Sequence, residues 1–253
     1  MGKNNSSILR VVPLAKQIEN NPALVSEILG LLGIKNVEFG DFSAIWYGDK
    51  GRKKEKGYDP SIEHLLGILH LIKTDETVRC YAKKATEKLK DEKVRQKRLE
   101  YIQGINCEKA DEDCVQRLKW TILETKTKPD LVIENDKYIL IAEGKLTEND
   151  ITTHTTYLPN RDQMIRHIQG ALCEAQVKGK RIFAFFIIAN RCSYKKKLEK
   201  DAFIERIEQE SVKIQDNKSK EEIINSYIGY TTWEDIEALI KKNNPSFNFP
   251  SIT

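Results

Sequence analysis

The stretch "KPDLVIENDKYILIAEGK", Lys128 to Lys145, constrains the fold of this chain more than any other. Two apolar runs, "LVIE" and "YILIA", flank the turn-prone pair Asn135-Asp136, the pattern of a β-hairpin. Strands so rich in β-branched residues belong in a buried sheet. Yet the second run closes on Glu143-Gly144-Lys145 and the first opens on Pro129-Asp130. Charges of opposite sign at the end of a buried strand are what any account of the chain must explain.

The flanking sequence alternates helical and strand patterns. Leu14, Ile18, Leu24, Ile28, Leu31 and Leu32 recur at helical spacing, broken near "ENNPA", which predicts two short helices between residues 8 and 33. Asp59-Pro60-Ser61 opens an apolar helix, "SIEHLLGILHLI", and residues 75–104 read as one or two exposed helices. A strand is expected over 120–124, then the hairpin, then a helix over about 161–177 with Met164, Ile165, Ile168, Ala171, Leu172 and Ala175 on its buried stripe. The most apolar strand, "RIFAFFIIAN", follows, then a charged helix near 195–213, a strand over 226–233 and a closing helix, "TWEDIEALIKKN". This order predicts an α/β domain with a mixed central β-sheet flanked by helices and a helical N-terminal extension. Residues 1–105 form the mainly helical region packed on or extending the core, and 106–253 the core itself.

A chain of 253 residues is long enough to bury a full core, and Lys+Arg 42 against Asp+Glu 38 leaves only +4, a weak lean toward a polyanionic partner. Of the basic segments, glycine-flanked "GRKKEKG" is the best candidate for DNA contact; "KKATEKLKDEKVRQKR" and "YKKKLEK" alternate with acids as solvated helix faces do. Five cysteines without a CxxC pair suit a reduced, cytoplasmic setting. The four histidines are too scattered to suggest zinc. No apolar run approaches the roughly 18 residues of a membrane span. The start "MGKNNSSILR" has no signal-peptide core, although Gly2 and Ser6 match an acylation pattern.

If Asn135 and Asp136 form a two-residue turn with positive φ, Asp130 lies opposite Ile141, and Asp130, Glu143 and Lys145 share one face at one end of the hairpin. Two carboxylates converge there on one cation, and a lysine stands beside them. That set suits Mg²⁺-assisted phosphodiester hydrolysis: oxygen ligands hold the ion, and an ammonium orients water or offsets developing charge. Gly144, without a side chain, allows its carbonyl close to the ion. The plainer alternative is an edge hairpin with a Glu143–Lys145 surface pair and a solvated Asp130.

Pro129-Asp130, twelve intervening residues and Glu143-Gly144-Lys145 resemble the motif of PD-(D/E)xK nucleases, the restriction-endonuclease-like superfamily. The resemblance covers about a third of the chain, residues 114 to 190, and includes the order helix, three-stranded meander, helix, strand. It implies that Asp130 and Glu143 bind Mg²⁺, with Mn²⁺ as a possible substitute, and that Lys145 serves the attacking water. It also implies an assisting glutamine at the start of the following helix, here Gln163. The tyrosine of the family's QxxxY variant is replaced by His167. Asn160 and Gln163 equally fit the N-cap and N3 positions of a capping box. Arg161 and Arg166 fit either phosphate contacts or an exposed helix face. An upstream glutamate completes the metal site in some relatives, and Glu63 is the first candidate here, before Glu100 and Glu112. The implied activity is a Mg²⁺-dependent DNA endonuclease, of type II restriction kind and homodimeric. The alternatives are a repair or recombination nuclease of the same fold, or an inactive nucleic-acid-binding module.

Overall fold

The computed structural model describes residues 7–48, 55–75, 89–103, 124–155, 158–214 and 216–251. The acylation pattern at 1–6, most of the "GRKKEKG" loop, residues 76–88, Glu112 and the strand expected over 120–123 lie outside the described residues. Among the described residues, five strands form one mixed sheet in sequence order: β1 (Ala44–Tyr47), β2 (Leu131–Glu134), β3 (Tyr138–Lys145), β4 (Arg181–Ile188) and β5 (Tyr227–Thr232). The β1–β2 and β2–β3 pairs are antiparallel, and β3–β4 and β4–β5 parallel. The chain is thus an α/β protein with a mixed five-stranded sheet.

Both faces of the sheet are buried, as its parallel part requires. Leu131, Ile133, Leu140, Ala142, Phe183, Phe185 and Ile187 face one side, packed by α1 (Val12–Asn20), α2 (Ala23–Leu31) and α8 (Trp233–Asn243). Val132, Ile139, Ile141, Ile182, Ala184, Phe186 and Ile188 face the other, packed by α5 (Gln163–Lys178), α6 (Lys200–Gln209) and α7 (Asn217–Ser226). Of the apolar stripe expected on α5, five residues are fully buried and Leu172 partly so. A third cluster joins α3 (Ile62–Thr74) to Leu158 and Val212, with α4 (Glu92–Gln103) against it.

The first strand of the meander is β1, "AIWY", not a segment next to the hairpin: it occupies the outer edge of β2, and Glu124 lies outside any strand. The helices α3 and α4 are therefore carried between the first and second strands of the meander. The charged stretch near 195–213 is a 3₁₀ turn, Lys195–Leu198, followed by α6, and α7 was not anticipated. Cys192 is free, whereas Cys173 is disulfide-bonded, so the expectation of a fully reduced chain does not hold at Cys173. Among the described residues no helix is long and apolar enough to cross a membrane.

A buried polar network fixes where α5 begins. Arg161, 1% exposed, donates to both oxygens of Glu124 (3.0 and 3.2 Å), to Gln169 Oε1 (2.5 Å) and to Glu210 Oε2 (3.2 Å). Arg166 Nε lies 2.8 Å from Glu124 Oε1, and His64 Nε2 2.7 Å from Glu124 Oε2. Arg161 and Arg166 are thus occupied by protein partners, and neither the phosphate-contact nor the exposed-face expectation survives. Burial, with the charge of Arg161, lowers the His64 pKa from 6.5 to about 4. A depressed base contributes stability above its unfolded pKa and loses it as pH falls toward its folded one. Stability should therefore decline as pH falls from about 6.5 to about 4, and His64→Gln should flatten that decline in denaturant titrations at stepped pH. An unchanged slope would show that His64 does not carry it.

Candidate active site

The hairpin register differs from the expected one by two residues and so keeps its parity. Leu131 pairs with Ala142 and Glu134 with Ile139, which places Asp130, just before β2, across from Glu143. The turn centres on Asp136-Lys137: Asn135 N–H donates to the Tyr138 carbonyl (3.0 Å), and Asn135 Oδ1 accepts from Lys137 N (2.9 Å) and Tyr138 N (2.7 Å). Neither Asn135 nor Asp136 has positive φ, contrary to expectation; the side-chain bonds of Asn135 organise the turn instead.

Glu143 and Lys145, two apart on β3, project from one face toward α5. Both are nearly inaccessible, at 4% and 6% exposure, so the reading of a solvated surface pair is wrong. The Lys145 ammonium lies 3.3 Å from Glu143 Oε1 and donates to Gln163 Oε1 at 2.9 Å, while Gln163 Nε2 donates to Glu143 Oε1 at 2.6 Å. Gln163 therefore bridges base and acid. It does so from the first residue of α5, whose N-cap is Asp162: Oδ1 accepts from Met164 N (2.8 Å) and Ile165 N (3.0 Å). The capping box from Asn160 does not form, since the helix starts two residues later. A helix N-terminus above the site also favours negative charge beneath it.

Asp130 is partly buried and accepts the Gly144 N–H at 3.0 Å, where the β2 ladder has ended. Burial and the Glu143 carboxylate push its pKa well above the ordinary carboxylate range. Glu143 goes the other way: burial opposes its ionisation, but the bonds from His167 and Lys145 outweigh it and hold the carboxylate ionised. Gly144 is required by close approach, since a Cβ there would meet Trp233 Cζ2 at 2.9 Å and Val11 Cγ2 at 3.0 Å. Trp233 also donates its Nε1–H to the Lys145 carbonyl at 3.1 Å, fixing the strand end.

Glu63 is not brought to this group. It is exposed in the first turn of α3 and lines a cavity with Gln169, Val212 and Ile214, to which Asp130, Glu143 and Lys145 do not contribute. Glu100 is exposed on α4. Sequence reasoning missed the second acid contact, from His167: its Nε2 lies 3.2 Å from Glu143 Oε2. Its position four residues after Gln163, one turn along the same helix face, was the available signal.

No protein-family model, curated protein or solved structure matches this chain.

A carboxyl whose folded pKa lies above its unfolded one stabilises at low pH and loses that contribution as pH rises through the folded value. At neutral pH without divalent ions, Asp130→Asn should therefore raise the melting temperature, by about 2–4 °C if the relief is about 1 kcal/mol, while keeping the bond to Gly144 N–H. Mg²⁺ should stabilise the native protein and not the variant. A variant that melts lower at neutral pH and still responds to Mg²⁺ would remove Asp130 from the site.

Proposed function

We propose that this chain is a Mg²⁺-dependent DNA endonuclease of the restriction-endonuclease-like fold, acting as a homodimeric type II restriction enzyme in the cytoplasm. The observation that carries this reading is the convergence of Glu143, Lys145 and Gln163 in one hydrogen-bonded group beside Asp130. Supporting it is the element order of an antiparallel three-stranded meander, a helix and a parallel fourth strand, with the charged motif at the end of β3. The substrate class rests on the motif resemblance.

The residues fit a divalent cation. Asp130 and Glu143 supply hard carboxylate oxygens of the kind Mg²⁺ takes, and positive charge near both would offset the burial and the Glu143 repulsion that raise the Asp130 pKa. Asp130 and Glu143 would hold the ion, with Gly144 between them as the backbone candidate. The ion would supply Lewis-acid polarisation of the scissile phosphate and acidify a water.

The protein's own groups do the rest. Lys145 has three N–H donors, of which Gln163 and Glu143 engage two, and the third is the one available to the attacking water or the developing phosphorane charge. Gln163 holds the ammonium in place through its carbonyl and Glu143 through its amide, which fixes both relative to the α5 N-terminus. The near-complete burial of Glu143 and Lys145 strengthens each of these charge contacts.

Incubation with plasmid and phage DNA in Mg²⁺ should yield discrete fragments, and EDTA should abolish cleavage; intact DNA under all divalent conditions would refute the reading. Lys145→Ala should lower the single-turnover rate by roughly 100-fold, with DNA affinity measured in EDTA unchanged. Lost affinity with a preserved rate would make Lys145 a phosphate contact instead.

A further inference from the structure

We propose that Thr127 and His167 form a positioning pair that orients the Glu143 carboxylate for its cation, an inference that rests on the metal-site reading above. The His167 ring is 1% exposed and spans two groups: Nε2 lies 3.2 Å from Glu143 Oε2, and Nδ1 lies 2.5 Å from Thr127 Oγ1. An ionised carboxylate has no proton to give, so Nε2 is the donor to Glu143. Thr127 is buried, and its backbone N–H and carbonyl are both engaged with Tyr58 at 2.9 Å. Its hydroxyl is free to donate, and Nδ1 is the acceptor within reach. The opposite tautomer would set the Nε2 lone pair against a carboxylate oxygen. Thr127 therefore selects the tautomer that lets His167 serve Glu143.

The surrounding packing is built for this contact. Gly170, on the same face of α5 as His167, leaves room for the Tyr58–Thr127 bridge: a Cβ there would meet Tyr58 Cβ at 2.8 Å, the Asp59 carbonyl at 3.1 Å and Thr127 Cγ2 at 3.4 Å. Arg166 fastens the same segment by donating to the Thr125 carbonyl (2.7 Å) and Oγ1 (3.0 Å). The consequence falls on Glu143. With Oε2 tied to His167 and Oε1 tied to Gln163 and Lys145, the carboxylate plane cannot rotate, and the lone pairs left for a cation point in a fixed direction.

Thr127→Val removes the hydroxyl and keeps the shape, and it touches neither Glu143 nor Lys145. By calorimetry on the full chain, it should weaken Mg²⁺ binding roughly 10-fold, as loss of an outer hydrogen-bond partner does at metal sites. His167→Phe should weaken it at least as much, and His167→Gln, which retains an amide donor, should recover part of the loss. Nitrogen-15 spectra of the metal-free protein should show the His167 proton on Nε2, and Thr127→Val should disturb that signal. Folded Thr127→Val and His167→Phe variants with native Mg²⁺ affinity would reduce the pair to packing and overturn the proposal, as would a wild-type protein that binds no Mg²⁺. A wild type that binds Mg²⁺ without cutting DNA refutes only the nuclease reading, and the affinities then decide the pair.

Discussion

The rest of the structure depends on a carboxylate buried inside a sheet. Glu143 sits near the end of a strand whose preceding residues are apolar, where an unpaired charge would cost several kcal/mol. Its compensation comes from two elements at once: Lys145 on its own strand, and Gln163 and His167 from α5. A rotation of α5 by one residue, about 100°, would take both helix donors away and leave the charge unmet. The helix start must therefore be fixed, and the Asp162 cap and the buried Arg161–Glu124–Glu210 network fix it. Fold and site are held by the same interactions.

The two ends of the hairpin differ in charge balance. At the turn end, buried Glu134 meets Lys56, Lys178 and Lys180 at 3.0, 2.8 and 2.6 Å. Despite burial, those lysines lower its pKa to about 2. At the motif end, burial and then the Glu143 carboxylate push the Asp130 carboxyl the other way, against the opposing effects of the Gly144 N–H and Lys145. One end is neutralised by the protein itself; at the other, Asp130 resists ionisation, and a cation between the carboxyls would favour it.

Much of this was legible in the sequence because it follows from short-range period. The spacing of two between Glu143 and Lys145 guarantees a shared face on a strand, and the unbroken apolar runs "YILIA" and "RIFAFFII" point to burial on both sides. A two-residue shift in the turn left the site unaffected because side-chain direction repeats every two residues. What failed depended on tertiary partners. "AIWY" is four residues among glycine and aspartate, and only the exposed edge of β2 makes it a strand. Arg161 looked like a surface arginine because its acidic partners, Glu124 and Glu210, are 37 and 49 residues away. Glu63 stood out by interrupting an apolar helix, yet that position faces solvent, away from the carboxylate pair. His167 shows in the sequence only as a departure from QxxxY, since its bond to Glu143 exists only once α5 is laid on β3.

The central claim is that Asp130 and Glu143 together form a divalent-cation site. The most direct measurement is anomalous diffraction from crystals soaked in Mn²⁺. The account predicts an anomalous peak in contact with the carboxylates of both Asp130 and Glu143, on the side of Glu143 left open by Gln163 and His167. A Mn²⁺ peak elsewhere, or none between these two residues at saturating metal, would contradict it.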